Sequence, residues 1–414
     1  MYGGKTRSHS VFGNVICHTV SLFPLKQRDN FSTIQHMTKM MYFDNAATTP
    51  MSLEALQTYE KTAQDFIGNP SALHREGLKA QALLQENRET IAALLGVNAS
   101  NLVFTSGATE SNSIVLNNLI WTQKPGQVIL TNIEHPSITE FARLLRQIGW
   151  NVTFLNAPKG FVRPEDLKAA LTDLTRLVCC MLVNNVVGSI QNIAELVAVV
   201  REFQAHKGRK IHFHTDAVQA LGKIPFSLTG LGVDSASFSA HKFNGPRGIG
   251  ILYNTNSGLQ SLSRGGEQEN GLRPGTENLP AIAAMTKALQ IAYGSMEEHL
   301  RKAREINAML RTELSEFSFL SAQQGCSPYI LNLSVNPLPS EVFARILYDK
   351  GFCISSGSAC SNNARQKGES VLSSMLIRPD DARSSIRLSF GFDTEIQDAR
   401  ELAEAIKKTY REHV

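Results

Sequence analysis

Short β-rich runs separated by helical stretches fill the middle of this chain, and that alternation limits the folds open to it. The runs "NLVFT" (101–105), "QVILT" (127–131), "VTFL" (152–155), "RLVCCMLV" (176–183), "KIHFHT" (210–215), "SASFS" (235–239) and "GIGILY" (248–253) carry the β-branched and aromatic residues of strands. Between most of them apolar residues recur every three to four positions, as from Ala80 to Leu95, where Gly96 supplies a helix stop. The alternation predicts an α/β fold with a mostly parallel sheet covered by helices on both faces. In such sheets ligands sit beyond the carboxyl ends of the strands, so the loops that follow strands are where chemistry is expected. A long helical stretch over 280–317 then leads to a second block with strands near 329–335, 352–355 and 385–390. The expected organisation is a basic leader over 1–40, a large domain over 56–295, and a smaller α/β domain made of 41–55 together with 296–414.

With 414 residues the chain can build one large and one smaller core. Its 42% hydrophobic and 19% charged residues argue against extensive disorder. No run of about 18 apolar residues occurs, so a membrane-spanning helix is not expected. The net charge of +4 sits in the leader, where Lys5, Arg7, Lys26, Arg28 and Lys39 face Asp29 alone. A balanced remainder gives no reason to expect nucleic acid or membrane as the main partner. The leader has the basic, nearly acid-free composition of a transit segment, while Met37, Met40 and Met41 also fit a start codon placed upstream. Six cysteines without a Cys-x-x-Cys pair point to reduced thiols and a cytoplasmic protein, or an organellar one if the leader is a transit peptide.

Four loops carry candidate chemistry. "SFSAHKFNGPRGIGILY" puts Ser239, His241 and Lys242 on the turn after a strand. A lone lysine there is ordinarily a solvated surface residue, but a hydroxyl, an imidazole and a glycine-rich return strand suit an amine that forms a Schiff base. "HTDAVQ" ends a strand at Asp216, with Gln219 three residues on. Such an acid commonly caps the following helix, and it can equally pair with a protonated pyridine nitrogen. "FTSGATES" (104–111) joins a strand to a helix through Gly107, leaving free amides near Ala108 and Thr109, an arrangement that binds phosphate. "IEHPS" sets His135 at the next strand end, either as a structural polar residue or as a flat ring that stacks on an aromatic cofactor. A Schiff-base lysine, a pyridinium partner, a phosphate cradle and a stacking ring together specify pyridoxal 5′-phosphate.

The motifs "DNAATTP" (44–50), "GNPSALH" (68–74), "FTSGATESN", "HTDAVQALGKIP", "SFSAHKFNGPRGIGILY", "GLRPGTEN" (271–278), "SSGSACS" and "SSIRLSFG" (384–391) run in order along the chain. As a set they resemble the cysteine desulfurase family, pyridoxal-phosphate enzymes with the class V aminotransferase fold, which is aspartate aminotransferase-like. The resemblance implies that Lys242 carries the cofactor as a Schiff base, that Asp216 pairs with the ring nitrogen, and that His135 stacks on the ring and assists proton transfer. It also implies that Gln219 and Asn185 bond the ring hydroxyl region. Thr109, Ser239 and His241, with the amides near Ala108, would hold the phosphate. Thr276 would reach the phosphate of a partner subunit, which implies a homodimer. Arg387 would clamp the carboxylate of the substrate, L-cysteine, through its planar fork.

Cys360, in the serine-glycine run "CISSGSACSNN" (353–363), would be the sulfur acceptor implied by the resemblance. On its own it reads as an incidental thiol on an exposed loop. Sulfur would pass to acceptor proteins such as an iron–sulfur scaffold, or toward tRNA thiolation. No metal site is expected. Cys179 and Cys180 read as small hydrophobes inside a strand. The chain departs from the family pattern at Val186, Glu267 and Asn270. Two alternatives stay open: a selenocysteine lyase on the same fold, since selenium can leave without a protein nucleophile, and a catalytically silent scaffold that binds the cofactor, hinted at by Val186 and Glu267.

Overall fold

The structure, a computed structural model, describes residues 40–122, 124–208, 210–261, 263–357 and 371–414. After a two-residue strand, β1 (Met41–Tyr42), seven strands build the main sheet: β2 (Leu102–Thr105), β3 (Gln127–Thr131), β4 (Asn151–Leu155), β5 (Thr175–Cys179), β6 (His212–Asp216), β7 (Ser235–Ser239) and β8 (Gly250–Asn254). Their order across the sheet is β2-β8-β7-β6-β5-β3-β4. Strands β7, β6, β5, β3 and β4 are parallel, and β8 runs antiparallel between β7 and β2. Strand β2 therefore points the same way as the parallel set. The carboxyl ends of β2, β3, β6 and β7 share one edge of the sheet, which is why residues far apart in sequence meet there.

The helices follow from local signals. In Arg75–Leu95 the His74 ring accepts the Gly77 N–H at the start, and Gly96 ends the helix at φ 65°, in the left-handed conformation that glycine tolerates. The expected stretch over 280–317 is two helices, Leu279–Gly294 and Met296–Glu313, broken where Ser295 leaves helical geometry at φ −116°, ψ 16°. The expected strand over 176–183 stops at Cys179. Its continuation still bonds β6, through Cys180 N–H to His214 and Leu182 N–H to Asp216, but then curls into a turn. The Asn184 side-chain oxygen closes that turn by accepting the Val186 and Val187 amides, both at 2.9 Å, an asparagine turn that ends the strand.

A second, antiparallel sheet has the order β12-β13-β10-β9, from β9 (Ser318–Phe319), β10 (Ile330–Ser334), β12 (Ser355–Ser356) and β13 (Ser385–Ser389), while β11 (Phe352–Cys353) pairs with β1. Its core of Phe43, Leu331, Phe343, Ile386, Leu388 and Leu402 is separate from the clusters on the two faces of the main sheet. Residues 44–52 bridge the two sheets. Asn45 and Ala46 bond Ser389 on β13, while Thr49 and Ser52 bond His241 and Asn244 just past β7. Cys360 and residues 1–39 lie outside the described residues.

One edge of the main sheet is closed by a buried ion pair. Glu269 accepts a fork from Arg88 at 2.6 and 2.9 Å and also the backbone amide of Phe104 on edge strand β2 at 2.7 Å. The Arg88 guanidinium lies 4.5 Å from the centre of the Phe104 ring. Removing one member leaves the other charge buried and unanswered. Glu269→Ala is expected to lower unfolding free energy by about 3–5 kcal/mol, read from urea denaturation curves.

Candidate active site

A cavity of about 560 Å³ opens at the shared strand edge. It is lined by Ala108, Thr109, His135, Asn185, Asp216, Gln219, Ser239, His241, Lys242 and Arg387, with Thr48, Arg247 and others. The structure thus brings together every expected site residue that it describes except Thr276. That residue is exposed outside the lining, with its hydroxyl 3.5 Å from the Asn69 amide.

Each side chain owes its place to a local feature. The turn after β7 swings Lys242 toward residues 44–50, where its ammonium donates to the carbonyls of Ala46 and Ala47, each at 2.7 Å. Asp216 closes β6 and is almost wholly buried. Its two oxygens accept from Val218 N–H at 3.1 Å and from the Asn112 amide at 3.2 Å. Asn112 is itself oriented by His214, whose Nε2 lies 2.9 Å from the Asn112 oxygen, so its nitrogen must face Asp216. Gly107, at φ 150°, starts the helix Ala108–Asn117 with no side-chain cap, and the first-turn amides remain open toward the cavity. Gly250 of β8 lies so close that a Cβ there would stand 2.6 Å from the Gly107 Cα.

His135 caps the helix Pro136–Gln147. Its Nδ1 accepts the Ser137 N–H at 3.1 Å, which leaves the proton on Nε2. Burial lowers its pKa, partly opposed by Asp216. His241 is pulled down to about 4 by burial and then by Lys242, Arg247 and Lys223. Its Nδ1 meets the Thr48 hydroxyl at 3.1 Å. Both imidazoles are neutral near pH 7. Behind the site, burial pushes Glu134 up to about 8, against a hydrogen bond from Thr131, so this acid is mostly protonated near neutrality.

Arg387, on β13 and 4% exposed, reaches the cavity from the second sheet. One terminal nitrogen pairs with Asp44 at 2.6 Å, and the other donates to the Asn185 carbonyl at 2.9 Å. Its buried Nε finds no hydrogen-bond partner among the described residues. Sequence reasoning missed Asp44, Asn112 and Glu134. "DNAATTP" and "TSGATESN" contain the first two, but their partners Arg387 and His214 lie 343 and 102 residues away.

The donor set fits pyridoxal phosphate. Open helix amides beside Ser239, His241 and Arg247 suit a phosphate, a fixed carboxylate suits a protonated ring nitrogen, and Lys242 lines the same cavity. A mixed seven-stranded sheet carrying this site defines the class of pyridoxal-phosphate enzymes. Comparison narrows that class. The family description "Aminotransferase class-V" matches residues 41–402. A NifS/IcsS protein homolog of Lactobacillus delbrueckii subsp. bulgaricus is 40% identical over 90% of this chain and 97% of its own length. Cysteine desulfurase IscS of Dictyoglomus turgidum is 34% identical over 87% of this chain and 92% of its own. Among solved structures, a NifS-like protein superposes with a TM-score of 0.83 at 31% identity, covering 89% of this chain and 98% of that one. SspA in complex with cysteine does so at 0.73 and 31%, covering 85% and 99%. The chain belongs to the class-V aminotransferase family, in its cysteine desulfurase branch.

Acid should loosen this site's scaffold in a defined window. Burial pulls His212 down to about 4 and His214 to about 3, while an unfolded chain protonates both near pH 6.5. The unfolded state therefore binds more protons below pH 6.5, and stability is full above that value and falls as pH drops toward 4 and 3. His212 withdraws on the order of 3 kcal/mol and His214 on the order of 5 kcal/mol across their full windows. Urea midpoints measured from pH 7 to pH 4 should fall steadily, with the onset near pH 6.5.

Proposed function

We propose that this chain is a pyridoxal-phosphate-dependent cysteine desulfurase that turns L-cysteine and one of its own thiols into L-alanine and a persulfide. The observation that carries this reading is the meeting of Lys242, Asp216 and Arg387 around one cavity. When bound, pyridoxal phosphate supplies an electron sink that weakens the Cα–H and then the Cβ–S bond of the substrate. The amides of Ala108 and Thr109, with Ser239 and His241, would hold its phosphate. Asp216, fixed by Asn112 and Val218, would keep a proton on the ring nitrogen, and Lys242 would provide the covalent attachment. Asn185 and Gln219 would meet the ring hydroxyl. His135 would lie against the ring, where its neutral Nε2–H can give a proton without first adding charge to the site.

Arg387 would take the substrate carboxylate by exchanging it for Asp44, and its unused Nε–H is a further donor for a bidentate fork. Sulfur would leave on Cys360. The thiolate attacks the substrate sulfur, the sulfur–sulfur bond forms as the Cβ–sulfur bond breaks, and Cβ takes a proton to become the methyl of alanine. Ser355 stands opposite Arg387 in the ladder between β12 and β13.

The same reading extends to assembly and to the fate of the sulfur. Ile67 and Leu73 are 82% and 91% exposed on a stretch that also exposes Leu53, Leu56 and Leu78, and this concentration of exposed apolar side chains suits a second copy of the chain. Thr276, exposed beside Asn69 of that stretch, would reach the partner's site. The persulfide would pass to acceptor proteins for iron–sulfur cluster assembly or tRNA thiolation. The four cysteines among the described residues are unpaired, in keeping with a reducing, cytoplasmic setting.

Alanine release from L-cysteine with a thiol reductant tests the activity. The parent should produce alanine, and Cys360→Ala should lose about 100-fold or more if the thiol is an obligatory nucleophile, a loss worth roughly 2.7 kcal/mol of barrier. A parent inactive on cysteine but active on selenocysteine would overturn the substrate assignment. Light scattering tests the assembly: the parent should have twice the chain mass, and Leu73→Asp should shift it toward the monomer.

A further inference from the structure

Behind the cavity lies a buried lysine that the site described above does not use. Lys223 is 3% exposed and lies outside the cavity lining. The chain reaches it through Gly222, at φ 72°, where a Cβ would stand 2.9 Å from that of Ala292. This turn folds Lys223 back beneath Gln219, whose side-chain oxygen accepts from its ammonium at 3.1 Å. No acid pairs with it among the described residues. Burial, then Lys242 and Arg387, pulls its pKa down to about 7. A buried ammonium with cations on its open side is stabilised when an anion enters the neighbouring cavity.

A glutamine amide has an accepting end and a donating end of nearly equal size, and its neighbours decide which faces a ligand. Lysine in its ammonium form, which an anion in the cavity favours, only donates, so it captures the oxygen of Gln219. The nitrogen of Gln219 meanwhile donates to the Ala46 carbonyl at 2.8 Å, and a carbonyl only accepts. Both partners therefore set the same orientation, and the second N–H of the amide is left for whatever occupies the cavity.

We propose that Lys223 is a positioning residue that locks Gln219 with its NH2 toward the cavity, so that this point of the site recognises an acceptor oxygen on the cofactor ring. The inference rests on the reading of the cavity as a pyridoxal-phosphate site. Without Lys223 the Ala46 carbonyl alone holds the amide and the Gln219 oxygen loses its buried donor, so the preference of the site for a ring bearing an ionised hydroxyl weakens.

The test measures equilibrium binding of pyridoxal 5′-phosphate and of its 3-deoxy analogue, which lacks the ring hydroxyl, to cofactor-stripped full-length parent, Lys223→Met and Lys223→Gln. The parent should prefer pyridoxal phosphate by about tenfold or more, the range of one hydrogen bond to a charged oxygen. Lys223→Met, close in volume to lysine, should lower that ratio several-fold, while Lys223→Gln, which can still donate to Gln219, should recover part of it. Loss of packing alone would weaken both ligands equally and leave the ratio as in the parent. An unchanged ratio in folded Lys223→Met overturns the proposal. Failure of the parent to form a borohydride-reducible link with pyridoxal phosphate overturns the reading of the cavity itself, a separate result.

Discussion

The carbonyl oxygen of Ala46 joins the two halves of the site. It accepts from Lys242 at 2.7 Å and from Gln219 at 2.8 Å, both in turns that follow strands of the main sheet, while the amide of the same residue is held by the Ser389 hydroxyl on the second sheet. Two residues earlier, Asp44 pairs with Arg387. A nine-residue segment near the start of the described chain thus fixes the amine, the amide and the guanidinium relative to one another. Positions in such sites must hold to about half an ångström to be productive. The sheet edge alone could not place Arg387, because that side chain comes from a different sheet.

Charge explains the rest of the arrangement. Lys242, Arg247 and Arg387 line the cavity against Asp216, with Lys223 behind it. The nearby imidazoles of His135 and His241 shed their protons, and Glu134 retains one. Neutral histidines avoid adding to the positive excess, and a neutral glutamic acid leaves the Asp216 charge without a like neighbour close behind it. The cationic balance favours a phosphate and a carboxylate from outside the protein.

Much of this was legible along the chain because helix and strand periods, glycine stops and strand-end loops are local. Lys242, Asp216, His135 and Thr109 all follow β-rich runs, and a parallel sheet necessarily gathers such positions at one edge. Cys180–Val183 looked like strand because apolar content cannot show where a ladder ends; the Asn184 turn decided it. Asp44 and Asn112 sat inside quoted motifs without a role, since a pair separated by 343 residues has no signature in either stretch. Glu269 carries no local mark of its role, although it satisfies an edge-strand amide and a buried arginine. Lys223 is only four residues from Gln219, yet their contact depends on the left-handed turn at Gly222.

The pairing of Arg387 with Asp44 also makes entry a trade of like for like. An incoming amino acid brings a carboxylate to replace the one it displaces, so the guanidinium need not lose its counter-charge at any stage. A thiol amine such as cysteamine brings nothing to exchange and would leave the Asp44 latch shut. On the proposed reading of the site, the pair would work as a turnstile that admits amino acids and turns away their decarboxylated counterparts, before any bond to sulfur is touched.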